Sequence, residues 1–236
     1  MQENKWPKII PELSAEYQIA RERFMKLWLE TLPKRYNAVE KFNQTFAIKE
    51  KPGTWQRTLE IGSGLGEHIR YEDLSNQEYY ALELREELAD KIKKSFPEVK
   101  TIVADCQKKT DLPDNYFDRV LAVHVLEHLP NLPAALSEIK RILKPSGQFC
   151  ICIPCEGGFA YSLARNISAR RLFENEFHMK YDPIVACEHV NNPGEIIQEL
   201  KALFDIKKKV YFPLHIPLIW INLIIGILCH PRKDTA

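Results

Sequence analysis

From residue 58 onward, short apolar runs alternate with amphipathic stretches along the chain. Residues 58–61, 79–82, 101–104, 119–123 and 148–153 have the length and composition of buried strands. Between them, Leu88, Ile92 and Phe96 mark one helix face. Leu136, Ile139 and Leu143 mark another, which stops at Lys144-Pro145-Ser146-Gly147. This alternation predicts an α/β fold: a mostly parallel sheet with helices on both faces, doubly wound through right-handed crossovers.

The segments on either side follow other patterns. In residues 1–50, Tyr17, Ala20, Phe24, Leu27 and Trp28 fall on one helical face after a cap at Ser14, and Pro33 is expected to end that helix. A second helix carries Tyr36, Val39, Phe42 and Phe46 and runs to a turn at Lys51-Pro52-Gly53. Together they read as a helical extension or lid, 1–50, ahead of a domain spanning 51–236. After Pro154, an insertion of about 155–192 mixes charges and aromatics without clear periodicity. It is read either as a substrate-selecting element or as a surface loop with some helix. A helix over 193–203 and strands over 205–211 and 223–229 close the pattern. Residues 212–229 are strongly apolar but interrupted by Pro213, His215, Pro217, Asn222 and Gly226. They are expected to form a buried hairpin, with peripheral membrane contact as the alternative.

Composition narrows the function classes. The chain has 236 residues, is 45% hydrophobic and has a formal net charge of +1, which excludes disorder and any global field toward nucleic acid. Lys207-Lys208-Lys209 is the densest basic run and reads as a solvated end of a strand. The cysteines are scattered in apolar runs, as expected of reduced thiols in the cytoplasm. Cys152 and Cys155 form a CxxC with no second pair at zinc spacing, so no metal is expected. The start MQENKWPKII lacks the continuous apolar core of a signal peptide.

The sharpest motif is Glu60-Ile61-Gly62-Ser63-Gly64-Leu65-Gly66, at a strand end and before an expected helix. Glycines there let the backbone turn tightly and approach a ligand, and free N–H groups at a helix start attract negative charge. Glu83 ends the next strand, where a carboxylate can accept from ribose hydroxyls, and Asp105 ends the strand after that. The same edge of the sheet therefore carries all of these groups.

This constellation resembles the class I S-adenosylmethionine-dependent methyltransferases, with a Rossmann-like sheet of seven strands. The resemblance continues through Asp114-Asn115-Tyr116-Phe117-Asp118-Arg119-Val120, Val125-Leu126-Glu127-His128-Leu129 and the helix and turn from Glu138 to Gly147. It implies S-adenosyl-L-methionine as cofactor, with S-adenosyl-L-homocysteine as product. Glu60, Gly62, Ser63, Gly64 and Gly66 would border its methionine part, Glu83 would hold the ribose, Asp105 and Cys106 would meet the adenine, and Leu84 would line the same cofactor site. His124 would line the pocket. For a hydroxyl acceptor, His124 is the first candidate general base and His128 the second, with His178 and His189 in the insertion. The insertion looks like that of bacterial methyltransferases found among genes for surface polysaccharides, which implies a saccharide, nucleotide-sugar or lipid-linked saccharide acceptor, with any other small polar or apolar molecule as the alternative; oxygen is the expected atom. Two other classes stay open: a non-catalytic cofactor-binding or assembly protein of the same fold, and an NAD-dependent dehydrogenase, whose G-x-G-x-x-G spacing differs from the one here.

Overall fold

A computed structural model describes residues 5–35, 37–49 and 56–233; Tyr36 and the Lys51-Pro52-Gly53 turn lie outside them. The strands are β1 (Arg57–Ile61), β2 (Glu78–Glu83), β3 (Lys100–Val103), β4 (Phe117–Val123), β5 (Leu143–Pro154), β6 (Phe204–Phe212) and β7 (Ile224–Pro231). They form one seven-stranded sheet in the order β3-β2-β1-β4-β5-β7-β6. All neighbours are parallel except β7, which runs antiparallel to both β5 and β6. The strand order reverses between β1 and β4. In open α/β sheets, that switch point opens a crevice at the carboxyl ends of the strands.

The helices are α1 (Ala15–Arg35), α2 (Asn37–Lys49), α3 (Glu86–Ser95), α4 (Leu132–Ile142), α5 (Phe159–Arg165), α6 (Arg171–Phe177), α7 (Asp182–Glu188) and α8 (Pro193–Leu203). One face of the sheet packs against α4 and α8, with Leu136 and Ile139 meeting Ile196 and Leu200 over Phe149 and Ile151. On the other face, Ala47 of α2 joins Ile69, Tyr79, Ile92 and Leu121, while Phe46 packs with Cys152 and Ile224. Cys152 and Cys155 fall in different core clusters, so the CxxC is split across the packing. The first N-terminal helix takes a different partner: Ala20 and Phe24 of α1 pack with Phe173, Tyr181 and Ile184 of the insertion.

Three local expectations are corrected. The helix expected after the glycines is absent: residues between Gly66 and β2 form turns and short 3-10 pieces at Ile69–Tyr71 and Leu74–Asn76. The connection is short, and its polar groups His68 and Glu72 turn inward onto buried Arg119 instead of facing solvent along a helix. Helix α1 runs to Arg35, two residues past Pro33; a proline near a helix end breaks few bonds. The insertion is helical over most of its length. Its apolar residues miss a simple 3.6-residue repeat because a π-helical turn, Asn166–Arg170, joins α5 to α6.

Candidate functional site

The ends of the first three strands are tied together by hydrogen bonds. Gly62 N–H donates to the Leu82 carbonyl (2.8 Å), and Ala104 N–H to the Glu83 carbonyl (3.2 Å). Glu83 itself links β2 to the glycine turn: its Oε2 accepts from Gly64 N–H at 3.0 Å. Its Oε1 accepts from the N–H groups of Leu84 (3.1 Å) and Arg85 (3.2 Å). Gly62 has φ +67, and a Cβ there would sit 2.6 Å from Cγ2 of Val125, just beyond β4. Only glycine lets the turn lie this close to the switch point. Ser63 Oγ donates to the Glu60 carbonyl (3.0 Å), and Gly66 N–H to that of Ser63 (2.8 Å), which closes the turn.

Asp105 follows β3. Its Oδ1 accepts from the backbone N–H and side-chain amide of Gln107 at 3.0 and 3.1 Å, and Oδ2 lies 3.8 Å from Lys108 Nζ. Leu84 beside it is largely exposed at the sheet edge, so an apolar surface flanks the carboxylates. Cys106 is buried, and burial, reinforced by Asp105, pushes its thiol up to about 12. Glu60 lies beneath the turn, on the face covered by α2. Tyr79 donates to its Oε2 at 3.0 Å, and burial raises its carboxyl to about 7.

Beyond β4, His124 adopts φ +53 and is held by its N–H on the Cys152 carbonyl (2.9 Å). A β-carbon residue in the left-handed region is uncommon and marks an over-determined position. Its Nδ1 lies 3.0 Å from Oε1 of buried Glu127. Burial alone would raise the Glu127 carboxyl, but the bond from His124 and the neighbouring imidazoles hold it at about 2. An ionised carboxylate only accepts, so Nδ1 carries the proton in this bond, and Nε2 is the nitrogen left to exchange one. Oε2 of Glu127 is buried and has no hydrogen-bond partner among the described residues.

His128 is anchored differently: Nδ1 lies 2.6 Å from the Glu188 carbonyl, and burial lowers its pKa. The insertion folds back here, stacking His189 edge-on at 5.1 Å from His128. His189 Nδ1 pairs with Glu156 Oε2 (2.8 Å), which in turn pairs with Arg165. Burial opposes protonation of His189, and the Glu156 carboxylate outweighs it, so its pKa is raised. Asn191, fully buried, stitches the return in place, donating to the carbonyls of Leu126 (2.8 Å) and Leu129 (2.7 Å). Tyr17 and Trp28, aromatics of α1, join the α1–insertion cluster instead, and His178 caps α6 in an exposed, left-handed conformation.

Sequence reasoning did not single out Glu127, Glu156, Asn191 or Arg165 as site residues. The spacing of Glu127 three residues after His124 was a usable signal, since a 3-10 turn places the two side chains together. The pairing of Glu156 with His189 spans 33 positions and has no local signature.

Residues 59–151 match a family model described as a methyltransferase domain. The sterol 24-C-methyltransferase of Yarrowia lipolytica is 26% identical over 208 residues, covering 76% of this chain and 52% of that protein. The sterol 24-C-methyltransferase ERG6B of Gibberella zeae is 34% identical over 115 residues, covering 42% of this chain and 27% of that protein. The chain thus spans about half the length, or less, of these curated relatives. Among solved structures, a SAM-dependent methyltransferase from Aquifex aeolicus superposes with a TM-score of 0.60 at 17% identity, over 89% of this chain and 97% of that one. The PH0226 protein of Pyrococcus horikoshii gives 0.63 at 18% identity, over 84% and 91%. What the chain shares with both is the fold.

Proposed function

We propose that the protein, whose residues 59–151 match a methyltransferase domain model and whose sheet has the class I, Rossmann-like arrangement, transfers a methyl group from S-adenosylmethionine to the hydroxyl oxygen of a small amphipathic acceptor, such as a lipid-linked saccharide. The observation that carries the reading is the joining of the Gly62 turn, Glu83 and Asp105 at one edge of the sheet.

The donor set suits the cofactor. An ionised carboxylate has about four acceptor sites, and Glu83 Oε2 uses one of its own on Gly64, so one stays open to a ribose hydroxyl. Among the described residues, Asp105 Oδ2 has the more distant Lys108 ammonium as its ion-pair partner, which leaves acceptor capacity for an adenine amino group, with the Cys106 backbone next in the chain. Gly62, Ser63, Gly64 and Gly66 form the turn that approaches the methionine part. Glu60, buried behind it, braces the turn through the Ser63 hydroxyl bond to its carbonyl.

When bound, S-adenosylmethionine supplies a methyl group made electrophilic by its sulfonium. The protein's residues align the acceptor, exclude water and manage one proton. His124 accepts the acceptor's hydroxyl proton at Nε2, and Glu127 stabilises the resulting imidazolium through Nδ1. His128, tied to the Glu188 carbonyl, holds the insertion against this turn and is a second, less favoured base.

A second reading is supported by the relatives, whose names give carbon methylation of sterols. Labelled S-adenosylmethionine incubated with saccharides, lipid-linked saccharides and sterols distinguishes the two. Label on an oxygen of the saccharide acceptors is expected, and label confined to sterol carbon overturns the acceptor assignment. A protein that binds the cofactor and labels nothing is the non-catalytic alternative, and stabilisation by NADH alone would indicate the dehydrogenase.

A further inference from the structure

Between β6 and β7 the chain makes an exposed loop whose apolar side chains point outward. Leu214, Ile216, Leu218 and Trp220 are each 45–62% exposed, along a loop that turns at 213–214 and ends in a 3-10 helix, Ile219–Ile221. The hairpin expected to be buried is buried mainly along β7. The loop is nevertheless tightly built. Asn222 is fully buried, accepts from Leu214 N–H (2.9 Å) and donates to the carbonyls of Ile216 (2.8 Å) and Leu218 (2.9 Å). His215 N–H reaches the Tyr211 carbonyl (2.8 Å), and Leu223 N–H that of Phe212 (2.7 Å).

A second element extends the patch. Phe159, Leu163 and Ile167 follow one another at four-residue spacing from α5 into the π-turn, and are 49–66% exposed. Phe159 stacks on Trp220 with centroids 6.0 Å apart. At Gly158 a Cβ would lie 2.5 Å from the Ile219 carbonyl oxygen, so the close seating of loop on helix needs that glycine. Both elements lie at the sheet edge where β5 ends and β7 begins, the edge that also carries the candidate site.

Charge and backbone bonding identify the occupant. Residues 157–173 and 206–222 contain no Asp or Glu, while Arg171, Lys207 and Lys209 are exposed within them. Arg165 and Arg170 in the same stretch are ion-paired to Glu156 and to Glu174 and Asp182. A loop with this much of its backbone bonded internally can enter a medium that offers no hydrogen bonds, a demand made by lipid and not by an aqueous protein surface. Apolar side chains including Trp, flanked in the sequence by cations and free of acidic residues, match an anionic lipid interface. No helix among the described residues is long and apolar enough to cross a membrane, so the contact is with one leaflet.

We propose that Leu214, Ile216, Leu218 and Trp220, with Phe159, Leu163 and Ile167, form a docking surface for an anionic lipid bilayer that turns the candidate-site edge of the sheet toward the membrane. The proposal stands apart from methyl transfer and is read without it. The 236-residue protein is sedimented with vesicles of phosphatidylcholine alone and of phosphatidylcholine with phosphatidylglycerol. Binding to the mixed vesicles is expected, weakened several-fold by high salt, with a Trp fluorescence blue shift that disappears in Trp220→Phe. Leu218→Ser with Trp220→Ser should reduce partitioning by about tenfold or more. Both positions are exposed, so far-ultraviolet circular dichroism should be unchanged. Absence of sedimentation with the mixed vesicles overturns the proposal. So does unchanged binding by the double variant, or a double variant that alters only the oligomeric state in light scattering, which would assign the patch to a second copy of the chain.

Discussion

Glu127→Gln is expected to lower turnover by about 10²–10⁴-fold while leaving cofactor affinity nearly unchanged. Glu127 is ionised and buried, and its Oε1 fixes the proton of His124 on Nδ1. An amide of the same shape fills the same space. Its N–H can donate to Nδ1, so the lone pair moves to the inner nitrogen and Nε2 takes the proton. The outward-facing nitrogen can then no longer remove a proton from an acceptor. The readout is kcat with the best acceptor, set beside a separate measurement of S-adenosylhomocysteine affinity. A merely structural Glu127 would shift stability and leave kcat in place. Unchanged kcat in a folded variant removes the base assignment from His124, and restoration by Glu127→Asp at reduced level would support it.

Arg119→Met is expected to destabilise the fold by about 3–5 kcal/mol, because it leaves a buried carboxylate without its partner. Arg119 is fully buried on β4; its Nη2 lies 2.7 Å from Glu72 Oε2, and its Nε donates to Thr58 Oγ1 at 3.2 Å. Glu72 also contacts His68 Nε2 at 2.8 Å and accepts from the Gln77 amide at 2.9 Å. Burial opposes ionisation of Glu72, but His68 and Arg119 together hold it at about 2. For a chain of this size the loss corresponds to a Tm lower by roughly 6–20 °C. Arg119→Met combined with Glu72→Gln should recover much of it, since no charge is then buried alone. The pH dependence follows from the sign of the shift. A carboxyl lowered from 4.5 in the unfolded chain to about 2 stabilises fully above pH 4.5, and that contribution is lost as pH falls through about 2. Calorimetric Tm values at pH 7 and pH 3 should therefore differ less in Arg119→Met than in the parent protein. An equal Tm for variant and parent at pH 7 would show that the cluster contributes nothing.

The positions of the sheet's strands along the chain and its doubly wound class were legible in the sequence because a buried apolar run is a local signal. A run such as Leu59 to Ile61 has to be buried on both faces, and the glycines and Glu83 directly follow such runs. What stayed hidden depends on distant partners. Arg119 opens an apparent strand as an ordinary charge, and nothing nearby indicates that Glu72, Gln77 and Thr58 bury it. The inward turn of His68 and Glu72 replaced an expected helix for the same reason. Periodicity failed in the insertion because the π-turn at Asn166–Arg170 shifts the apolar face between α5 and α6. His128 and His189 were both noticed as titratable groups, but their approach to 5.1 Å depends on Asn191 binding a turn more than 60 residues earlier.

Titration calorimetry with S-adenosylhomocysteine on the parent protein and on Glu83→Ala tests the central claim most directly. A saturable single site is predicted for the parent protein. The variant should bind about 1–3 kcal/mol more weakly, roughly 5- to 150-fold, because a charged acceptor for the ribose is removed. A flat titration of the parent protein, or equal affinity in a folded Glu83→Ala, would contradict the assignment of this sheet edge as the cofactor site.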